Sequence, residues 1–275
     1  MLLLDPNLPV LTNLGYIPAK LINPGIKLIS EDLNLVTVKS VECITADLRY
    51  ASLKWKNGAF AFRFPECVYV SVDDPCKFCP PEILSLGEQV VLKFGVDPSL
   101  FAVSDFVNIE NVFLKLLTLQ LQSLQKLKRL GWHPLIDLDA RLLHVQLYPL
   151  TEKSKFLRGL LKLPIDRRKE LLLKLPEVAA EYSGNLKFVG LPQVYDAYNV
   201  REFCGRVGFF PSVASWRNGK CGILFKEVQL ATPDFYTLRA RVSLAKIFHD
   251  PQEWISINCD TEKGILAASL TVRAA

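Results

Sequence analysis

Cys76 and Cys79, in the stretch DDPCKFCPPEI (73–83), are the residues whose types and spacing most directly suggest chemistry. A Cys-x-x-Cys pair offers two thiolates to a metal or forms one redox couple. Structural zinc takes four ligands, and here there is a single knuckle. Cys43 and Cys67 are the nearest other thiols, and His133, His144 and His249 stand alone. A thioredoxin-type couple needs a helix N-terminus in a βαβ unit, which the surrounding residues do not supply. The pair reads as loop cysteines that neither bind metal nor exchange disulfides. Asp137 and Asp139 in IDLDAR (136–141) would face one way in a strand, as two-metal chemistry requires. No further carboxylates or lysine stand at a workable spacing, so they read as a solvated strand entry.

Cys221 lies in NGKCG (218–222). Gly-x-Cys-Gly resembles the nucleophile loop of viral chymotrypsin-like cysteine proteases, where main-chain N–H groups bind an oxyanion. His133 or His144 with Asp137 or Asp139, all upstream of Cys221, would complete that family's His, Asp and Cys set. The competing reading is a hairpin: Asn218-Gly219 makes a two-residue turn and places Cys221 opposite Trp216. Phosphate-binding glycine loops, dinucleotide fingerprints and His-Glu-x-x-His are all missing, so no cofactor is expected and a non-catalytic role is favoured.

The charge of the chain is unevenly placed. The net +5 resolves into −4 over residues 1–114, +8 over 115–174 and +1 over 175–275. The basic middle holds Lys126, Lys128, Arg129, Lys153, Lys155, Arg158, Arg167, Arg168 and Lys169. Along a helix, Lys155, Arg158 and Lys162 share a face against a leucine-rich remainder. Such a tract suits a phosphate backbone, an acidic protein surface or a solvated helix face. Membrane-surface binding is disfavoured because residues 151–181 contain no tryptophan or tyrosine anchor. Phe235 and Tyr236, beside Arg239 and Arg241, would add a stacking platform on a sheet. The expected function is a non-catalytic nucleic-acid-binding or nucleoprotein-assembly subunit, with those nine cations on phosphates. The alternatives are a structural or protein-interaction protein, of viral or cellular origin, docking a partner through basic amphipathic helices, and a cysteine protease using Cys221.

The expected elements are sheet, then helices, then sheet. SLKWKNGAFAFRF (52–64) places Asn57-Gly58 between alternating runs, with Leu53 opposite Phe62, Trp55 opposite Phe60, and Lys54, Lys56 and Arg63 on a solvated face. A helix is expected over 104–130, from an Ser104 cap to Gly131, and a strand over 141–150. Short helices broken at Pro164 and Pro176 should fill 151–182. The last third reads as strands, with the Phe248-His249-Asp250-Pro251 stretch as a turn. The predicted class is α+β, two antiparallel sheet-rich regions flanking a helical middle, divided 1–130, 131–184 and 185–275.

Half the residues are apolar, which rules out a disordered chain. No run approaches the ~18 apolar residues of a membrane helix, and the opening MLLLDPNLPVL lacks a basic leader. Seven scattered cysteines argue for free thiols. A reducing cytoplasmic setting follows, or host cytoplasm or nucleus for a viral chain.

Overall fold

The computed structural model describes residues 1–102, 160–168, 186–191, 194–205, 209–215, 221–227 and 237–275, apart from positions 57, 59, 73 and 262. The α+β class expected from the sequence is not what forms. The described residues are mostly antiparallel sheet, 54% strand against 16% helix. The expected 104–130 helix, the 141–150 strand and most of 151–182 lie outside the described residues. Within that last stretch, 160–162 form a 3-10 turn and 165–168 are helical. The chain divides into two compact units, Met1–Ala102 with Asp234–Ala275, and Val103–Pro233.

Two very long strands frame the first unit. β1 (Leu2–Leu4), β2 (Pro9–Thr12), β3 (Gly15–Pro18) and β4 (Lys27–Ile29) are short and mostly buried. β5 then runs unbroken over Leu35–Trp55. β6 (Phe62–Pro65), β7 (Val68–Val72), β8 (Asp74–Cys79) and β9 (Gln89–Lys93) follow. After the second unit the chain returns as β13 (Thr237–Cys259), β14 (Ile265–Ala267) and β15 (Leu270–Ala274). β5 and β13 pair antiparallel from Trp55 opposite Val242 to Val38 opposite Cys259. The N-terminal segment of β13 pairs β9 instead, Arg239 opposite Val91 and Arg241 opposite Gln89.

The core collects where several short strands cover the frame. Trp55, Trp254, Leu53, Phe64, Tyr16 and Leu11 are all buried there. Burial alternates over Ala51–Trp55, the period-2 pattern of a strand with one packed face, whereas β1, β2, β3 and Trp254–Ile257 are buried on both faces. Midway along the frame that cover ends. No residue of β5 between Lys39 and Arg49 is buried, nor any of β13 between Ser243 and Glu253.

The expected Asn57-Gly58 turn is partly realised. Leu53 does lie opposite Phe62, and Gly58 N–H donates to the Trp55 carbonyl at 3.0 Å. The ladder stops at that pair, so Trp55 meets Phe62 diagonally, ring centroids 6.1 Å apart. The expected turn at 248–251 does not exist. Pro251 sits inside β13 opposite Asp47, in a pair where no N–H toward β5 is needed.

The second unit contains a sheet in the order β10 (Leu186–Leu191), β12 (Cys221–Glu227), β11 (Phe209–Ser215). Helix α1 (Val194–Cys204) links β10 to β11. The sequence reading missed this helix, taking the last third for strands alone.

Candidate polyanion-binding face

Buried neighbours fix which way the exposed cations point. On β13, Ala240 and Val242 are buried, so Arg239 and Arg241 project to the opposite side and are exposed. On β5, Leu53 and Trp55 are buried, so Lys54 and Lys56 project away from them. Val242 lies opposite Trp55, so both pairs of cations share one outer face. The Lys56 N–H donates to the Arg241 carbonyl at 2.8 Å, tying the two strands together at this point. A bulge at Ser243 then resets the register, and Lys246 falls opposite Ser52, on the side of Lys54.

Lys54, Lys56, Arg239, Arg241 and Lys246 thus line one face. Among the described residues none of the five makes an ion pair. The neighbouring Glu88 carboxylate accepts the Ser85 N–H at 2.5 Å. A face with unpartnered cations presents a positive potential to solvent and attracts anions.

An aromatic step adjoins the cations. Phe248 lies two residues beyond Lys246 on the same face, about 7 Å along the strand. It stacks on Tyr50, centroids 5.4 Å apart at 21°, and remains 41% exposed. Tyr50 in turn meets Trp254 edge-on at 5.6 Å. Burial, with a hydrogen bond to Asp250, pushes the Tyr50 hydroxyl above its usual pKa, so it stays protonated.

A fixed ion pair closes the far side. Arg63, opposite Ser52, donates from Nε to Asp5 Oδ2 at 3.0 Å and reaches the Gln252 amide oxygen. Its guanidinium lies 5.4 Å from the Trp254 ring centroid. Burial pulls its pKa down, but the Asp5 hydrogen bond and charge outweigh that and hold it cationic. Arg63, expected on a solvated face, is half-buried and committed to Asp5.

The cations singled out from the sequence fare differently. Lys126, Lys128, Arg129, Lys153, Lys155, Arg158 and Lys169 lie outside the described residues. Arg167 is exposed. Arg168 is fully buried, which removes it from any outward phosphate contact. Its Nε donates to the Leu163 carbonyl at 2.9 Å, other guanidinium nitrogens reach the Leu161 and Glu202 carbonyls, and its charge lies 5.6 Å from the Phe203 ring. It ties the 160–168 segment to α1.

Of the candidate catalytic residues, only the cysteines and His249 fall among the described residues. Cys76 and Cys79 stand in β8, Cys79 opposite Val70, and not in a loop. Cys221 opens the central strand of its sheet, opposite both Ser215 and Leu191. The expected pairing with Trp216 therefore gives way to Ser215, one residue further back. His133, His144, Asp137 and Asp139 lie outside the described residues, as do Phe235 and Tyr236. His249 is in mid-strand, its Nε2 3.6 Å from Asp47 Oδ1. Among the described residues no group of three or more His, Cys, Asp or Glu side chains is placed to hold a metal. No helix among them is long and apolar enough to cross a membrane.

Sequence reasoning noticed Arg239, Arg241, Lys54 and Lys56 separately but not as one surface. It missed Lys246 and Phe248. The alternation Arg-Ala-Arg-Val at 239–242 was the available signal, and it shows orientation without showing the partner strand.

No protein-family model matches the chain, and no curated protein matches it. Among solved structures it is similar to the Ssp DnaB mini-intein variant M86, at 8% identity and a TM-score of 0.41, covering 99% of this chain and 92% of that one. The G-1F mutant of the same variant gives 10% identity and 0.41, covering 99% and 98%. A similarity at that level carries no argument about what this chain does.

Proposed function

We propose that this chain is a non-catalytic nucleic-acid-binding subunit that holds a phosphate backbone against the outer face of its β5–β13 sheet. One observation carries the proposal: Lys54, Lys56, Arg239, Arg241 and Lys246 share a face and, among the described residues, none has a carboxylate partner. The basic tract at 126–169 is the second phosphate surface, minus Arg168. Phe248, stacked on Tyr50 and exposed, supplies a flat ring on which an unpaired base can stack. Single strands are therefore preferred to duplex, and contacts to phosphate impose little sequence preference.

The test is binding of labelled single-stranded and duplex oligonucleotides across a salt series. Each phosphate contact on a single strand contributes about 0.7 to the slope of log affinity against log salt. Replacing Arg239 and Arg241 with glutamate should lower affinity for all sequences alike and flatten that slope by at least ~1.4. Unchanged affinity and slope would refute the assignment.

A further inference from the structure

The middle of β5 is an open sheet edge. β4 covers Leu35–Thr37, β6 covers Tyr50–Leu53, and among the described residues no strand pairs the outer side of β5 between them. No backbone breaker interrupts that edge. VKSVECITADLR (38–49) has no proline or glycine, and its β-branched residues favour pairing.

Hydrogen bonds at the two ends of this stretch fix which residues direct their main-chain groups outward. The Val38 N–H donates to the Ile26 carbonyl and the Gly25 N–H to the Val38 carbonyl, so Val38 points away from β13. The register with β13 slips at Lys39, which inverts the alternation beyond it. The Arg49 carbonyl accepts the Glu66 N–H, confirming that the odd-numbered positions now face out. Val41, Cys43, Thr45 and Asp47 therefore offer free N–H and C=O groups along the edge.

Only registers that set outward residues against outward residues complete an antiparallel ladder. With a second copy related by a two-fold axis, centring on Glu42 opposes two carboxylates. Centring on Ile44 places Lys39 against Arg49. Centring on Cys43 places Val41 against Thr45 and Lys39 against Asp47, opposite charges meeting twice.

We infer that two copies of this chain associate edge to edge through β5, antiparallel and centred on Cys43, continuing the sheet across a two-fold axis. The surface is distinct from the cationic face, and its test does not depend on nucleic acid. Lys39 already holds Asp260 at 2.5 Å, and Asp47 Oδ1 lies 3.6 Å from His249 Nε2. Cys43 is exposed and free. At the axis its Cα would stand about 5.5 Å from its counterpart, a separation that a disulfide spans.

The experiment is sedimentation of the full chain over a concentration series in reducing buffer, with oxidation by diamide as a second arm. Diamide takes up the two protons and two electrons released when two Cys43 thiols join. Thr45→Pro removes an outward donor without touching the β5–β13 ladder, since proline is tolerated where its nitrogen faces away from the partner strand. The expected results are a rise from one copy to two with concentration and dimerisation about tenfold weaker or more in Thr45→Pro, two donors being lost per dimer. Diamide should give a covalent dimer that Cys43→Ser abolishes, while Cys43→Ser still dimerises without oxidant. A single-copy mass at every concentration overturns the proposal. So does an oxidised dimer that persists in Cys43→Ser, or undiminished dimerisation in a folded Thr45→Pro. Should Thr45→Pro not fold, the mass series and the Cys43 cross-link decide alone.

Discussion

Arg63 donates to Asp5 three times, to Oδ2 from its main-chain N–H at 3.1 Å and from Nε at 3.0 Å, and to Oδ1 from Nη2 at 3.3 Å. Oδ1 also accepts the Asn7 N–H at 3.0 Å. One buried carboxylate therefore fastens the start of the chain to β6 and, through Gln252, to β13. Replacing Asp5 with alanine leaves the half-buried Arg63 charge uncompensated. The expected loss is about 2–4 kcal/mol, less than a fully buried pair because Arg63 keeps some contact with water. Urea unfolding measures it, and a shift below ~0.5 kcal/mol would show that the pair has no structural role.

Asp32 gives the acid limb of stability a defined contributor. The hydrogen bond from Lys263, then that from Ser30, holds its carboxyl well below the usual range. A depressed folded-state pKa stabilises the protein above the unfolded value and loses that contribution as pH falls toward the folded one. Asp32→Asn should therefore lower the urea midpoint at neutral pH, and the gap from the wild type should narrow below about pH 4. A gap that is constant with pH would exclude this origin.

Gly264 leaves no room for a side chain. A Cβ there would meet Thr271 Cγ2 at 2.5 Å and the Val272 carbonyl oxygen at 3.2 Å. Its own carbonyl accepts the Glu31 N–H at 2.8 Å, so the backbone cannot easily withdraw. Gly264→Ala should cost about 1–3 kcal/mol through overpacking. Thermal unfolding checks this, and a neutral result would mean that Thr271 turns aside freely.

Phe248 separates stacking from charge on the cationic face. Phe248→Ala should weaken single-strand binding by about 1–3 kcal/mol while leaving the salt slope unchanged. Duplex binding should change much less, because paired bases are not free to stack. Equal losses on both substrates would remove the stacking role.

The turn signals of the sequence and its tertiary structure disagree most clearly at residues 248–251. His249, Asp250 and Pro251 resemble a loop locally, yet they continue β13. Proline breaks a ladder only where its missing N–H would have been used, and opposite Asp47 it is not. Arg168 is the parallel case among the site residues. Its place in a basic run suggests an outward charge, but the Leu161 and Leu163 carbonyls of its own segment and the Glu202 carbonyl of α1 draw the guanidinium inward.

The residues alone determined local facts: alternation around Leu53 and Trp55, the Leu53–Phe62 pairing, and the outward stance of Arg239 and Arg241 given buried neighbours. These depend on a period of two and on contacts within a dozen residues, which a linear reading captures. That residues 1–102 and 234–275 share one unit, and that Lys56 lies beside Arg241, was decided by tertiary structure. Pairing between strands nearly two hundred residues apart is chosen by complementary burial across the whole fold. No local pattern records which strand will be the partner, and the shared face exists only once that choice is made.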